Sequence, residues 1–149
     1  MKNLNTLIGA KVSNVIRICD IIKFDFLLGD QELCLHVQCA LTRIYKNDEL
    51  LVVSNDMFVP GKNFKKKPFK KFKWYKSKHT LFDDQLQRIN DDFRSSRIID
   101  VVYVRNNGLY ITLEEGFKVE VLIDTKEEDY EVFRVFIKGD LNSHIVVET

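Results

Sequence analysis

The chain has 149 residues, 45% of them hydrophobic and 30% charged, the balance of one globular domain rather than a disordered, fibrous or membrane-spanning chain. Such a length buries about two-thirds of the unfolded surface without staples, and Cys19, Cys34 and Cys39, an odd number set in apolar stretches, predict free thiols in a reducing, cytoplasmic setting. No apolar run approaches the ~20 residues of a spanning helix, and residues 1–9 hold no run long enough for a secretory signal, so no membrane span and no export are expected.

In chain order, the first half alternates apolar and polar residues through Val12, Val15, Ile22, Phe24 and Phe26, turns at Gly29-Asp30-Gln31-Glu32, and resumes at Leu33, Leu35, Val37 and Cys39. A period of two marks strands, and the Gly, Asn and Asp clusters between them mark hairpin turns. Two further strands are predicted, one holding an arginine (Leu41-Thr42-Arg43-Ile44-Tyr45) and one β-branched (Leu51-Val52-Val53-Ser54). Pro60-Gly61 through Lys78 has no steady period and reads as a loop or mobile arm. Thr80-Leu81-Phe82-Asp83 then resembles a capping box, and Phe82, Leu86, Ile89 and Phe93 follow in a 4-3-4 rhythm, predicting one amphipathic helix over about 81–95.

The remainder repeats the first pattern at an offset of 87. Val12 pairs with Ile99, Val15 with Val102, Ile22 with Leu109, Phe24 with Ile111, Phe26 with Leu113 and Gly29 with Gly116, and Phe117, Val119 and Val121 continue the alternation. Phe133-Arg134-Val135-Phe136 and His144-Ile145-Val146-Val147 supply the matching arginine-bearing and β-branched strands. The expected fold is mainly β with one helix: two pseudo-repeated antiparallel β-meanders forming a sandwich or barrel-like single domain. Its parts are repeat 1 at about 7–56, a basic aromatic arm at 57–79, the helix, and repeat 2 at about 97–149.

The stretch Leu35-His36-Val37-Gln38-Cys39 with Arg43, then Ser54-Asn55-Asp56, and later Glu131-Val132-Phe133-Arg134, resembles a family of small bacterial proteins of no established activity. That family carries an H-V-Q-C stretch, a W-R pair, an S-x-D and an E-x-W-R strand. Two positions depart from it: Leu41-Thr42-Arg43 stands for the first W-R pair, and Phe133 for the second Trp. The resemblance implies a bacterial cytosolic origin and a likeness to small accessory or immunity genes.

Cys34-x-His36-x-x-Cys39 holds three zinc-type ligands, but on a strand Cys39 faces away from the other two and no second ligand pair follows, so no metal site is expected. Cys34 and His36 stand about 6.5–7 Å apart on one strand face, too far for a nucleophile and its base. The paired carboxylates fall in turns and at the helix start, where solvated acids belong. With no phosphate loop, G-x-S-x-G elbow or H-E-x-x-H helix, neither a catalytic residue nor a cofactor is expected.

Charge gives the strongest signal. The formal net charge is +1, yet between Asp56 and Asp83 there is no acid and nine lysines, leaving 14 basic against 22 acidic residues elsewhere. Lys65, Lys66, Lys67, Lys70, Lys71 and Lys73 alternate with aromatics up to Trp74 and Tyr75. Such a run attracts an anionic surface and offers aromatic anchors. The expectation is a non-enzymatic protein-binding module, in its narrower form an immunity-type inhibitor of a bacterial toxin. The alternative is a nucleic-acid-binding protein using residues 62–78, with lysines on phosphates and rings on unpaired bases. A groove between the repeats lined by His36, Arg43 and Arg134 is a further candidate, and sheet edges offer a route to homo-oligomers.

Overall fold

The computed structural model describes residues 3–38, 40–66 and 71–149. The alternating stretches form ten strands: β1 (Lys11–Ile18), β2 (Ile21–Leu28), β3 (Gln31–Val37), β4 (Ala40–Lys46), β5 (Glu49–Val53), β6 (Ile98–Val104), β7 (Gly108–Leu113), β8 (Phe117–Ile123), β9 (Glu131–Ile137) and β10 (Ile145–Glu148). They make two antiparallel five-stranded sheets, ordered β1-β2-β3-β9-β10 and β5-β4-β8-β7-β6. The sheets do not close into a barrel, and the arrangement is that of a sandwich.

Neither sheet is one half of the sequence. Each half supplies a three-stranded meander to one sheet and a two-stranded hairpin to the other: β3 pairs with β9 through Leu35 and Val135, and β8 pairs with β4 through Val119 and Ile44. The two sheet orders therefore correspond strand for strand under exchange of the halves. At the joint the two halves also bond reciprocally. Gly9 N–H donates to Ile98 O at 2.8 Å while Ser95 N–H donates to Val12 O at 2.7 Å, and Val12 N–H to Ser96 O matches Ile98 N–H to Ala10 O, both 2.9 Å. Gly9 and Ser95, 86 residues apart, both have positive φ.

That offset corrects the register read from the sequence. Ile99 and Val102 are 52% and 45% exposed, whereas Ile98 and Val101 are buried, so the partners of Val12 and Val15 are Ile98 and Val101. Register shifts between Val12 and Asn14 and between Ile98 and Asp100 lie at matched positions, 86 residues apart, and leave this offset unchanged; the physical reason is turn length. The β6–β7 turn (105–107) is one residue longer than the β1–β2 turn (19–20), so from β2 and β7 onward the offset becomes 87. The expected long turn after Gly29 is also shorter than read: Leu28 pairs directly with Gln31, and Gln31 and Glu32 belong to β3.

Inward residues of both sheets form one core that includes Phe24, Phe26, Phe117 and Phe133. Gly108 is required by close approach: a Cβ there would lie 2.3 Å from the Val121 carbonyl oxygen. The helix α1 (Leu81–Phe93) starts with a full capping box between Thr80 and Asp83 and buries Phe82, Leu86, Ile89 and Phe93. It lies against β1 and β5, the edge strands of different sheets, and closes one side of the sandwich. No helix among the described residues is long and apolar enough to cross a membrane.

Candidate functional site

The base of the arm is stitched to the start of α1. Leu81 N–H donates to Val59 O at 2.8 Å and Gly61 N–H to His79 O at 2.8 Å, while Lys62 N–H donates to the buried Asp84 carboxylate at 2.7 Å. Above this base the Phe64 ring stacks on His79 at 3.9 Å and leans on Phe72 at 6.4 Å. The other described end of the arm carries a second ring cluster, Phe58 on Trp74 at 5.1 Å and Trp74 edge-on to Tyr75 at 6.0 Å.

The main anchor is a residue that sequence reasoning passed over. Arg17, on β1, has a side chain only 1% exposed and points its guanidinium under the arm. Nε and Nη2 donate to the two oxygens of Asp83 at 2.9 and 2.7 Å. Nη1 donates to the carbonyls of Cys19 and Trp74 at 2.7 and 2.8 Å, and Nη2 to that of Lys76 at 3.0 Å. One buried cation thus joins a β-turn, the helix cap and the arm backbone on either side of Tyr75. Burial works against the Asp83 carboxylate, but hydrogen bonds from Arg17 and Thr80 outweigh it and hold its pKa below the usual value. A charge at an inward position of a strand, with a helix-cap aspartate elsewhere in the chain, was the signal available.

The described residues of the arm are therefore packed on the body at both of its ends. Lys62, Lys65, Lys66, Lys71, Lys73, Lys76 and Lys78 are exposed, and none of them takes part in an ion pair among the described residues, although Lys46, Lys118 and Lys138 do. Tyr75 is 47% and Phe58 56% exposed, with Trp74 half-buried between them. Phe58, outside the lysine run, belongs to the cluster and was not foreseen. Lys67 and Lys70 lie outside the described residues, as does Cys39.

The other predicted residues divide between the two sheets. His36 and Arg134 are cross-strand partners on β3 and β9 and line a cleft of about 320 Å³ with Gln38, Phe136 and His144. Arg134 holds Glu131 through two hydrogen bonds of 2.9 and 2.6 Å, Phe136 stacks on His144, and His36 meets the Phe136 edge. Burial and then the Lys23 charge lower the His36 pKa, which keeps its ring neutral near pH 7. Arg43 does not join them. It stands on β4 in the other sheet, 3.8 Å from Glu120, because the exchange of hairpins puts the two matched arginines on different sheets.

Cys34 Sγ donates to Asp25, and burial, followed by that hydrogen bond, pushes its thiol pKa up to about 11. The thiol is thereby held protonated and poorly nucleophilic at neutral pH. Among the described residues no group of three or more His, Cys, Asp or Glu side chains converges as a metal would require. No family model, curated protein or solved structure matches the chain.

Proposed function

We propose that this protein is a non-enzymatic binding module that presents its arm to an acidic surface of a partner protein. The observation carrying this reading is the Phe58, Trp74 and Tyr75 cluster, partly exposed beside seven lysines that have no ion-pair partner among the described residues. Arg17 fixes the cluster, so little conformational freedom is lost on binding. Aromatic anchors ringed by charge are what a protein interface uses for affinity and steering.

Nucleic acid is the weaker reading because of ring geometry. The Phe58–Trp74 and Trp74–Tyr75 planes meet at 56° and 86°, so neighbouring rings do not offer parallel faces to successive bases. The narrower form of the proposal is an inhibitor that covers an acidic toxin surface.

Partner recovery from the native cell, followed by binding to the purified partner, tests the reading. Replacing Trp74 or Tyr75 by Ala is expected to cost about 2 kcal/mol or more in affinity at a desolvated anchor. Single Lys-to-Ala changes are expected mainly to slow association. A partner bound equally well by the Trp74→Ala and Tyr75→Ala proteins would overturn the reading. So would tight, steeply salt-dependent binding of a mixed single-stranded oligonucleotide pool, which would favour the nucleic-acid alternative.

A further inference from the structure

The twofold correspondence of the halves exposes an asymmetry. On one side α1 fills the seam between edge strands β1 and β5. On the other side the matching seam, between β6 and β10, is a groove of about 760 Å³ that no helix among the described residues fills. Its walls include Val101 and Tyr103 from β6 and Ile145 and Val147 from β10, with Leu4 at one end. Leu4, Tyr103, Ile145 and Val147 pack against the core without being fully buried. Ile145 answers to Val52, since these pair with the matched residues Val135 and Ile44. Val52, beside α1, is 0% exposed, whereas Ile145 remains partly exposed.

The chain itself shows what fits this seam. The 3-10 turn Leu4–Leu7 packs on β6 and holds the place of the last turn of α1. Leu7 and Phe93, 86 residues apart, are both almost wholly buried. Their carbonyls accept matching bonds, from Ala10 N–H at 3.1 Å and from Ser96 N–H at 3.2 Å. The preceding turns of α1, which carry Phe82 and Leu86, have no counterpart among the described residues, and the groove occupies their position.

We infer that the β6–β10 groove is a docking site for an amphipathic helix of a partner protein, one whose apolar residues repeat in the 4-3 spacing of Phe82, Leu86 and Ile89. The helix would continue the line of the Leu4–Leu7 turn, as the early turns of α1 continue into its last. Its first turn differs chemically from that of α1. Arg17, which receives Asp83, corresponds by the same offset to Tyr103, whose ring packs edge-on to Phe133 at 5.9 Å. The site therefore selects an uncharged or aromatic side chain at the third helical position, where α1 has a carboxylate. This surface is separate from the arm, so the inference does not rest on the proposed function.

The probe is a synthetic peptide with the sequence of residues 80–94, titrated into the isotope-labelled full chain and followed by amide chemical shifts. Saturable shifts in residues 101–104 and 145–148 are expected. A peptide with both Leu86→Ser and Ile89→Ser should bind at least tenfold more weakly. The peptide with Asp83→Ala should bind at least as well as the parent, since it meets Tyr103 and not Arg17. An Ile145→Asp chain should lose at least tenfold, and if it melts early the peptide variants alone decide. Absence of saturable shifts at millimolar peptide would overturn the inference. Shifts confined to β1 and β5, shifts confined to the arm, or concentration-dependent self-association through β6 and β10 in the free chain would also overturn it.

Discussion

Replacing Arg17 by Met removes the guanidinium while keeping most of the side-chain volume. The wild-type group makes five hydrogen bonds, to Asp83 twice and to the carbonyls of Cys19, Trp74 and Lys76. The Asp83 side chain it leaves behind is only 11% exposed. Removing one partner of a buried pair typically costs about 3–5 kcal/mol, and at about 2–4 °C per kcal/mol for a chain of this size the melting midpoint should fall by about 10 °C. Asp83 should also titrate differently. In the wild type its pKa lies below 3.8, so its stabilisation is complete above that value and is lost as the pH falls through the lower, folded-state pKa. Without Arg17 burial dominates, the carboxylate protonates at higher pH, and acid unfolding should begin earlier. Trp74, the single tryptophan, reports arm release by a red shift of its emission, and trypsin should then cut the lysine run before global unfolding. Arg17→Lys, which keeps the charge but not the fork, should fall between. A loss below about 1 kcal/mol with the arm still resistant to trypsin would refute the anchoring role, since a buried pair is expected to cost several times that.

Because the folded Cys34 thiol loses its proton near pH 11 rather than at 9.0, unfolding releases a proton between those values and stability should fall across that window. Cys34→Ala should flatten the alkaline limb of a urea-midpoint profile, and an unchanged limb would count against the burial argument. His36 has its folded pKa below 6.5; the unfolded chain takes up the proton first as pH drops, so stability should decline below pH 6.5 and His36→Gln should remove that slope. Gly108→Ala forces a Cβ against the Val121 carbonyl and should cost about 1–3 kcal/mol or more by thermal melting, the range for overpacked sites; an unaltered midpoint would show that β7 and β8 separate freely.

Local residue order determined a large part of this molecule. Alternation placed the ten strands because a sheet with one buried face needs an apolar residue at every second position. The Thr80–Asp83 box and the 4-3-4 stripe located α1 because both are local to a helix. The lysine run identified the arm through charge alone. Tertiary structure decided which strands are neighbours. Alternation states which face of β4 or β9 is buried but not which sheet receives it, and the exchanged hairpins separate Arg43 from Arg134 while bringing His36 to Arg134. The extra residue in the β6–β7 turn displaced the first-strand register by one, since the offset of 87 holds only beyond that turn and alternation does not reveal where the strand ends. The role of Arg17 depended on contacts 57, 59 and 66 residues away. A buried cation acquires meaning only from the oxygens that folding assembles around it, and those oxygens belong mostly to backbone carbonyls that no side-chain pattern reveals.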